Sequence, residues 1–539
     1  ACCAPLWESR ADRAAMPLAA LCWDGGVAAA AVEPYSESEA GIIRNGVFAA
    51  LPDAFGISLG YTNDPTTFKN RSTPAPSTRS MACKAQTSGR IYLHSGLRTE
   101  LHEIIRQEYA RHQDRAVPRN TLRQAVQGML DTFAYQNFDA AAGEYTNRCC
   151  RPPRETEMRP WRLVTEIGWT GGGVLAYPLV LCRDALGAAA DAPLAAAMSG
   201  EQLFDRIADA YNENSGLLND LMAPNAAGSQ VNGWWTGYGL VKDCHCAYTV
   251  GSAVHYLTKT MDYLHQNGKP CPAKWMDAAQ KVLHTVMDLQ RADGAFGYTY
   301  STQERKVLDW SGFAGCWFAP ALVYLYRLTG EERCLHSAEK ALDYYHTFVK
   351  DLNCYGTPMD TWKAVDEEGN LAFMRGSRLL YEQTGKAEFL QYMKDSAGYE
   401  FLWRYGYKTY PEHTPLNQGW SACGGAVTSV SNPHIHPMGV IIDTDLRYLA
   451  RVTGDGYYTS RAADSAAWML QCLELYPAAT GYGRYGILSE RWCPSDGLDV
   501  ERFSDGRPFS SWFSHNLWAS ACVLEAACEL LLEIEHKKG

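Results

Sequence analysis

Leu325-Tyr326-Arg327-Leu328-Thr329-Gly330-Glu331, Leu380-Tyr381-Glu382-Gln383-Thr384-Gly385-Lys386 and Leu449-Ala450-Arg451-Val452-Thr453-Gly454-Asp455 are the stretches that decide the fold of this 539-residue chain. Each closes an apolar run of helical period and opens a more amphipathic one, and a glycine just past a helix is the expected left-handed cap. The three therefore read as tight turns of helical hairpins. Their unequal spacing puts the differences in length into the connections at the opposite end.

Outward from these turns, helical periodicity predicts twelve helices, near 120–135, 171–187, 201–214, 246–266, 273–290, 313–328, 332–350, 370–383, 387–404, 437–452, 457–475 and 514–533. The connections 136–170, 215–245, 291–312, 351–369, 405–436 and 476–513 are long and alternate with short ones, so every second helix starts at the same face. Helices after long connections, such as Ala314 to Leu328, are apolar nearly all round and belong inside; those after the Thr-Gly turns carry a charged face. The expectation is a mainly α protein, an (α/α)6 toroid over 119–539, with its function at the face of long loops. Residues 1–97 instead show short apolar runs, Leu18 to Cys22 and Val27 to Val32 among them, and a turn-rich stretch from Thr66 to Ser80. They predict a smaller β-sandwich-like domain, joined through a linker helix within 98–118.

Composition narrows the classes. With 60 acidic against 49 basic residues and a net charge of -11, no nucleic-acid surface is indicated, and no run of about 18 apolar residues predicts a membrane span. A chain this long buries a core without staples, and Cys182, Cys316, Cys472, Cys522 and Cys528 lie in apolar helical stretches, which points to a reducing compartment. Ala1-Cys2-Cys3-Ala4-Pro5 shows neither an initiator Met nor a signal pattern, so the expected location is cytoplasmic, and the chain can begin inside a longer protein. A homo-oligomer is left open.

The long loops pair aromatic rings with carboxylates, amides and histidines, the mixture that covers sugar C–H faces and bonds sugar hydroxyls. Trp169, Trp234, Trp235, Trp310, Trp362, Trp420 and Trp492 supply rings, and Asp360, His245, His434, His436 and Arg491 supply polar contacts to a carbohydrate substrate. Glycosidic cleavage needs two carboxyl groups in different environments, and Glu166, Asp309 and Glu490 are the candidates, each near an inner-helix start or among aromatics. The competing role for each is a helix cap or a loop tie. Asp243-Cys244-His245-Cys246 has ligand types for zinc but no matching second pair, and His434 with His436 has no third ligand nearby, so neither metal nor cofactor is expected. Asp443 and Asp445 fit an ionic tie at least as well as catalysis. The run Trp169 to Gly173 lacks the Lys-Ser/Thr of a phosphate loop, and close packing of an inner-helix start explains its glycines.

On hairpin count, the Thr-Gly turns and the loops Glu166 to Gly173, Asp309 to Gly312 and Glu490 to Asp496, the whole chain resembles the six-hairpin glycosidases. Within that group it looks most like bacterial families acting on uronic-acid glycosides, β-glucuronidases and unsaturated glucuronyl hydrolases. The resemblance implies a glycoside hydrolase, and Lys242, Arg484 and Arg491 fit a uronate carboxylate, although pairing with neighbouring acids is the simpler use for them. A polysaccharide lyase using Tyr145, Tyr238, His245, His434 or His436 as base, a non-catalytic carbohydrate-binding protein, and a sugar epimerase are the alternatives.

Overall fold

The computed structural model describes residues 7–38, 41–44, 47–50, 55–58, 88–112, 114–163, 167–168, 172–220, 233–236, 239–357, 363–481, 484–495 and 501–537. Its helices, in chain order, are α1 Glu100–His112, α2 Leu122–Thr132, α3 Gly173–Leu186, α4 Asp191–Ala196, α5 Gly200–Asp209, α6 Ala247–Gln266 and α7 Ala273–Asp288, followed by α8 Phe318–Thr329, α9 Glu332–Lys350, α10 Glu368–Thr384, α11 Ala387–Glu400, α12 Asp443–Thr453, α13 Gly456–Thr480 and α14 Leu517–His536. The inner helices α3, α6, α8, α10, α12 and α14 each pack on the next, and α14 returns to α3, closing a ring. The outer helices α2, α5, α7, α9, α11 and α13 lie against them. This is the expected toroid, preceded in the chain by α1 and with the short α4 as an addition.

The three Thr-Gly turns are built alike. Gly330, Gly385 and Gly454 hold φ of 73°, 65° and 70°, which an L side chain resists. Before each glycine the threonine hydroxyl donates to the carbonyl four residues back, Thr329 to Leu325 at 2.8 Å, Thr384 to Leu380 at 2.7 Å and Thr453 to Leu449 at 2.7 Å. The hydroxyl then accepts the amide two residues on, capping the turn from both sides. Thr480-Gly481 partly repeats the device at the end of α13, with Thr480 bonded to the Tyr476 carbonyl at 2.9 Å and Gly481 at φ 77°. The helix predicted over 457–475 runs longer in the structure, where α13 continues through Pro477 to Thr480.

Close approach of inner helices depends on missing side chains. A Cβ on Gly168, at the entrance to α3, would lie 1.9 Å from the Thr249 carbonyl oxygen of α6, and one on Gly251 would lie 2.8 Å from the Trp317 Cβ beside α8. The stretch Gly173–Ala196, the one among the described residues long and apolar enough to cross a membrane, is α3 with its extension and is mostly buried within the ring. All described cysteines are free thiols.

The described N-terminal residues form antiparallel strands. Leu18–Trp23, Gly25–Val32 and Gly89–Gly96 make one sheet, and Trp7–Arg10, Val47–Ala50 and Phe55–Ser58 another. The loop expected over Thr66 to Ser80 lies outside the described residues. Arg90 ties the first sheet to Glu108 of α1 at 2.6 Å. Tyr405 and Tyr407, after α11, donate to the carbonyls of Asp12 and Ala14 at 3.3 and 2.9 Å, fastening this region to the ring.

Candidate active site

The long connections meet at the N-terminal ends of the inner helices and weave a collar of short strands. Arg159–Leu163, Glu144–Cys149 and Ser514–His515 form one sheet, and the Glu490 amide donates to the Ser514 carbonyl at 3.3 Å. Trp492 bridges both Ser511 and Ile435, continuing the collar into the hairpin Ala426–Ser429 with Asn432–His436. Elsewhere on the collar, Cys244–Cys246, Thr299–Ser301 and Val307–Asp309 make a second sheet.

Below the collar the axis is filled. Tyr248 of α6 donates to the Met438 sulfur at 3.6 Å, reaching the turn before α12, the helix opposite α6 in the ring. Burial, with the Glu368 carboxylate hydrogen-bonded beside it, raises the Tyr248 phenol far above its ordinary value. Trp317 stands edge-on to Tyr248 at 5.9 Å, and Trp518 stacks on His436 at 6.1 Å. Deeper still, Lys259 of α6 reaches past α3 to Glu525 and to Glu529 (2.8 Å) of α14. Arg375 of α10 pairs with Asp445 of α12 at 2.8 Å, and Arg378 joins Asp445 to Glu382. Asp445 thus has the ionic role the sequence left open. Asp443 shares it, since fully buried Arg404 donates to Asp443 and to the Gly439 carbonyl, each at 2.7 Å, and pairs with Glu400. Burial and the adjacent Glu400 raise Glu367, fully buried just before α10, well above the carboxylate range.

The predicted site residues divide into groups. Glu490 is half-buried at the collar and accepts from the Asn516 amide at the start of α14. Asp309 ends its strand paired with Lys363 and accepts the Ser311 amide at 2.8 Å. Burial pushes its carboxyl up, but Lys363 and the amide outweigh that and hold it below the usual range, so Asp309 is ionised. His434 Nδ1 donates to Asn432 Oδ1 at 3.3 Å; His436 Nδ1 donates to the His434 carbonyl at 2.9 Å, and its Nε2 accepts from Asn432 at 3.3 Å. His245, also on the collar, bonds Ser215 at 2.9 Å, and burial lowers it to about 4. Arg491 stacks its guanidinium 3.3 Å from the centroid of Trp512. Trp310 sits under Arg291, 5.1 Å away.

Trp420 and Trp492 are 1% and 0% exposed and belong to the core, so neither offers a ring face to a ligand. The loops that carry them pack as densely as the helices, a folding-back that composition does not reveal. Tyr145 donates to the Met198 carbonyl at 2.7 Å and is buried, which removes it as an accessible base. Glu166, Trp169, Tyr238, Asp360 and Trp362 lie outside the described residues; Trp234 and Trp235 are described only as backbone of the strand Gly233–Thr236. Glu368, Tyr248 and Asn516 were not singled out from the sequence. The signal was available: each lies at or within two residues of an inner-helix start, immediately after a long loop. Among the described residues, no three His, Cys, Asp or Glu side chains gather as a metal site.

No family model matches the chain, and no curated protein matches it in sequence. Solved structures do resemble it. A sugar epimerase from a ruminal bacterium superposes with a TM-score of 0.50 at 10% identity, covering 76% of this chain and 98% of its own. A glycoside hydrolase family 76 (mannosidase) protein, Bt3792 from Bacteroides thetaiotaomicron VPI-5482, gives 0.47 at 14% over 77% and 99% of the two chains. An unsaturated glucuronyl hydrolase specific for heparin gives 0.45 at 12% over 77% and 98%. At these identities what is shared is the (α/α)6 fold.

Proposed function

We propose that the chain is a glycoside hydrolase whose site is the collar-lined mouth of the ring. The observation that carries the reading is that two collar connections each bring up a carboxyl group, Asp309 paired with Lys363 and ionised, and Glu490 accepting from the Asn516 amide. Cleavage of an acetal needs that difference, one carboxylate to activate water or attack carbon and one acid to protonate the departing oxygen. Asp309 takes the first role and Glu490 the second; Glu166, known from the sequence alone, remains a third candidate. Glu368, held on Tyr248, and the His434–Asn432–His436 group are buried beneath this mouth and brace its floor.

A uronic-acid glycoside is the substrate class this reading favours. Two guanidinium groups of the collar, Arg148 and Arg491, each have a buried Nε with no acceptor among the described residues, and no described ion pair engages them. A substrate carboxylate would satisfy such donors. Glu490→Gln, Asp309→Asn and Glu166→Gln are the tests. On nitrophenyl glycosides that include a glucuronide, at least one should lower turnover about 100-fold or more with the fold intact; full activity in all three refutes the assignment. The likeness to a sugar epimerase favours a second reading, proton transfer at a sugar carbon as in a lyase or epimerase. Deuterium uptake from solvent or an ultraviolet-absorbing product, without hydrolysis, would select it.

A further inference from the structure

Beside the candidate site lies a cavity of about 250 Å3 that the acid chemistry does not use. Trp161 and Trp512 form its aromatic wall, with ring centroids 6.5 Å apart and planes 56° apart. Its polar wall is two ion pairs, Arg151 with Glu501 at 3.0 Å and Arg159 with Glu155 at 3.2 Å. Glu501 is also fixed by the Phe513 amide at 2.7 Å, so the fork of donors and acceptors is held in place. Trp161 is 43% exposed although its strand lies in the collar sheet. Ser514 joins cavity and site: it lines the cavity, and its carbonyl accepts the amide of Glu490.

We infer that this cavity is a second sugar subsite, holding the pyranose next to the bond cleaved, so that the substrate is an oligosaccharide rather than a single glycoside. The inference rests on the proposed site at Glu490. An indole wall covers the C–H face of a pyranose, and planar carboxylate and guanidinium groups bond its hydroxyls, the pairing of surfaces present here. Since both ion pairs satisfy their own charges, the subsite selects ring shape and hydroxyls rather than net charge.

The test is binding measured by calorimetry to the full chain, with the monosaccharides and disaccharides of hyaluronan, pectin, xylan and mannan, for wild type, Trp161→Ala and Trp161→Tyr. At least one disaccharide should bind about tenfold more tightly than its own monosaccharide. Trp161→Ala should abolish that difference and Trp161→Tyr should restore most of it, with circular dichroism unchanged. Equal binding of every pair, or a difference that survives Trp161→Ala, overturns the subsite. Failure of the hydrolase reading looks different: the length-dependent, Trp161-dependent binding persists, but no glycoside is turned over.

Discussion

Lys259→Met is the perturbation whose cost follows most directly from the structure. Lys259 is 5% exposed, touches two glutamates of α14, and lies 4.2 Å from the centroid of Tyr177. Burial alone would lower its pKa; Arg375 would too, but Glu525 and Glu529 more than offset both, and the ammonium stays charged throughout the working pH range. Methionine keeps the stem and removes the charge, leaving two buried carboxylates with Arg375 as the remaining cation near them. Breaking a buried pair from one side costs about 3–5 kcal/mol, because the orphaned charge stays desolvated. With an unfolding entropy of about 2 cal/mol/K per residue, a unit of this size shifts by about 1 °C per kcal/mol, so the melting temperature should fall by about 3–5 °C. Thermal and urea unfolding followed by circular dichroism measure it. The deficit should shrink toward acidic pH, where the orphaned glutamates take up protons. Adding Glu525→Gln to Lys259→Met should return part of the loss. A Lys259→Met protein within about 1 kcal/mol of wild type refutes the view that this layer is a mutually dependent charge network.

Other outcomes follow from single residues. His102 and His245 are lowered to about 4 and His515 to about 3, all by burial, so below the unfolded value near 6.5 the unfolded chain binds more protons than the folded one. Stability should therefore be full above about pH 6.5 and fall as pH drops toward 4, and His245→Gln should flatten the slope of urea midpoints against pH by about one proton. Gly168→Ala forces a Cβ against the backbone of α6 and should cost about 3 kcal/mol, whereas Gly330→Ala, with open space around it, pays only left-handed strain of about 1–2 kcal/mol; equal losses would refute the packing account. Arg491→Leu should raise KM about tenfold or more for a glucuronide and leave a neutral glucoside nearly unchanged; equal shifts for both remove the carboxylate role.

The ring was legible because its signals are local. A threonine that bonds back one turn and a glycine that turns left-handed are consequences of a few adjacent residues, and they recur at 329–330, 384–385 and 453–454. The apolarity of the segment from Ala314 to Leu328 likewise announces an inner helix without knowledge of its neighbours. The proposed site was legible only as a set of polar loop residues. Asp309, Glu490 and the two histidines stand out as polar residues in long loops. Glu368 and Tyr248 come together only when α6 and α10 are brought round a closed ring, a long-range event with no trace in local spacing. Trp420 and Trp492 show the reverse: a loop aromatic turned inward by packing has the same sequence appearance as one facing a cleft.

The charged layer across the axis turns a ring into a cup. With Lys259, Glu525, Arg375 and Asp445 buried where the six inner helices converge, the axis below the collar is shut to a threading polymer. Under the proposed function, whatever enters at the collar would also leave there, and a sugar chain would meet the floor with one of its ends.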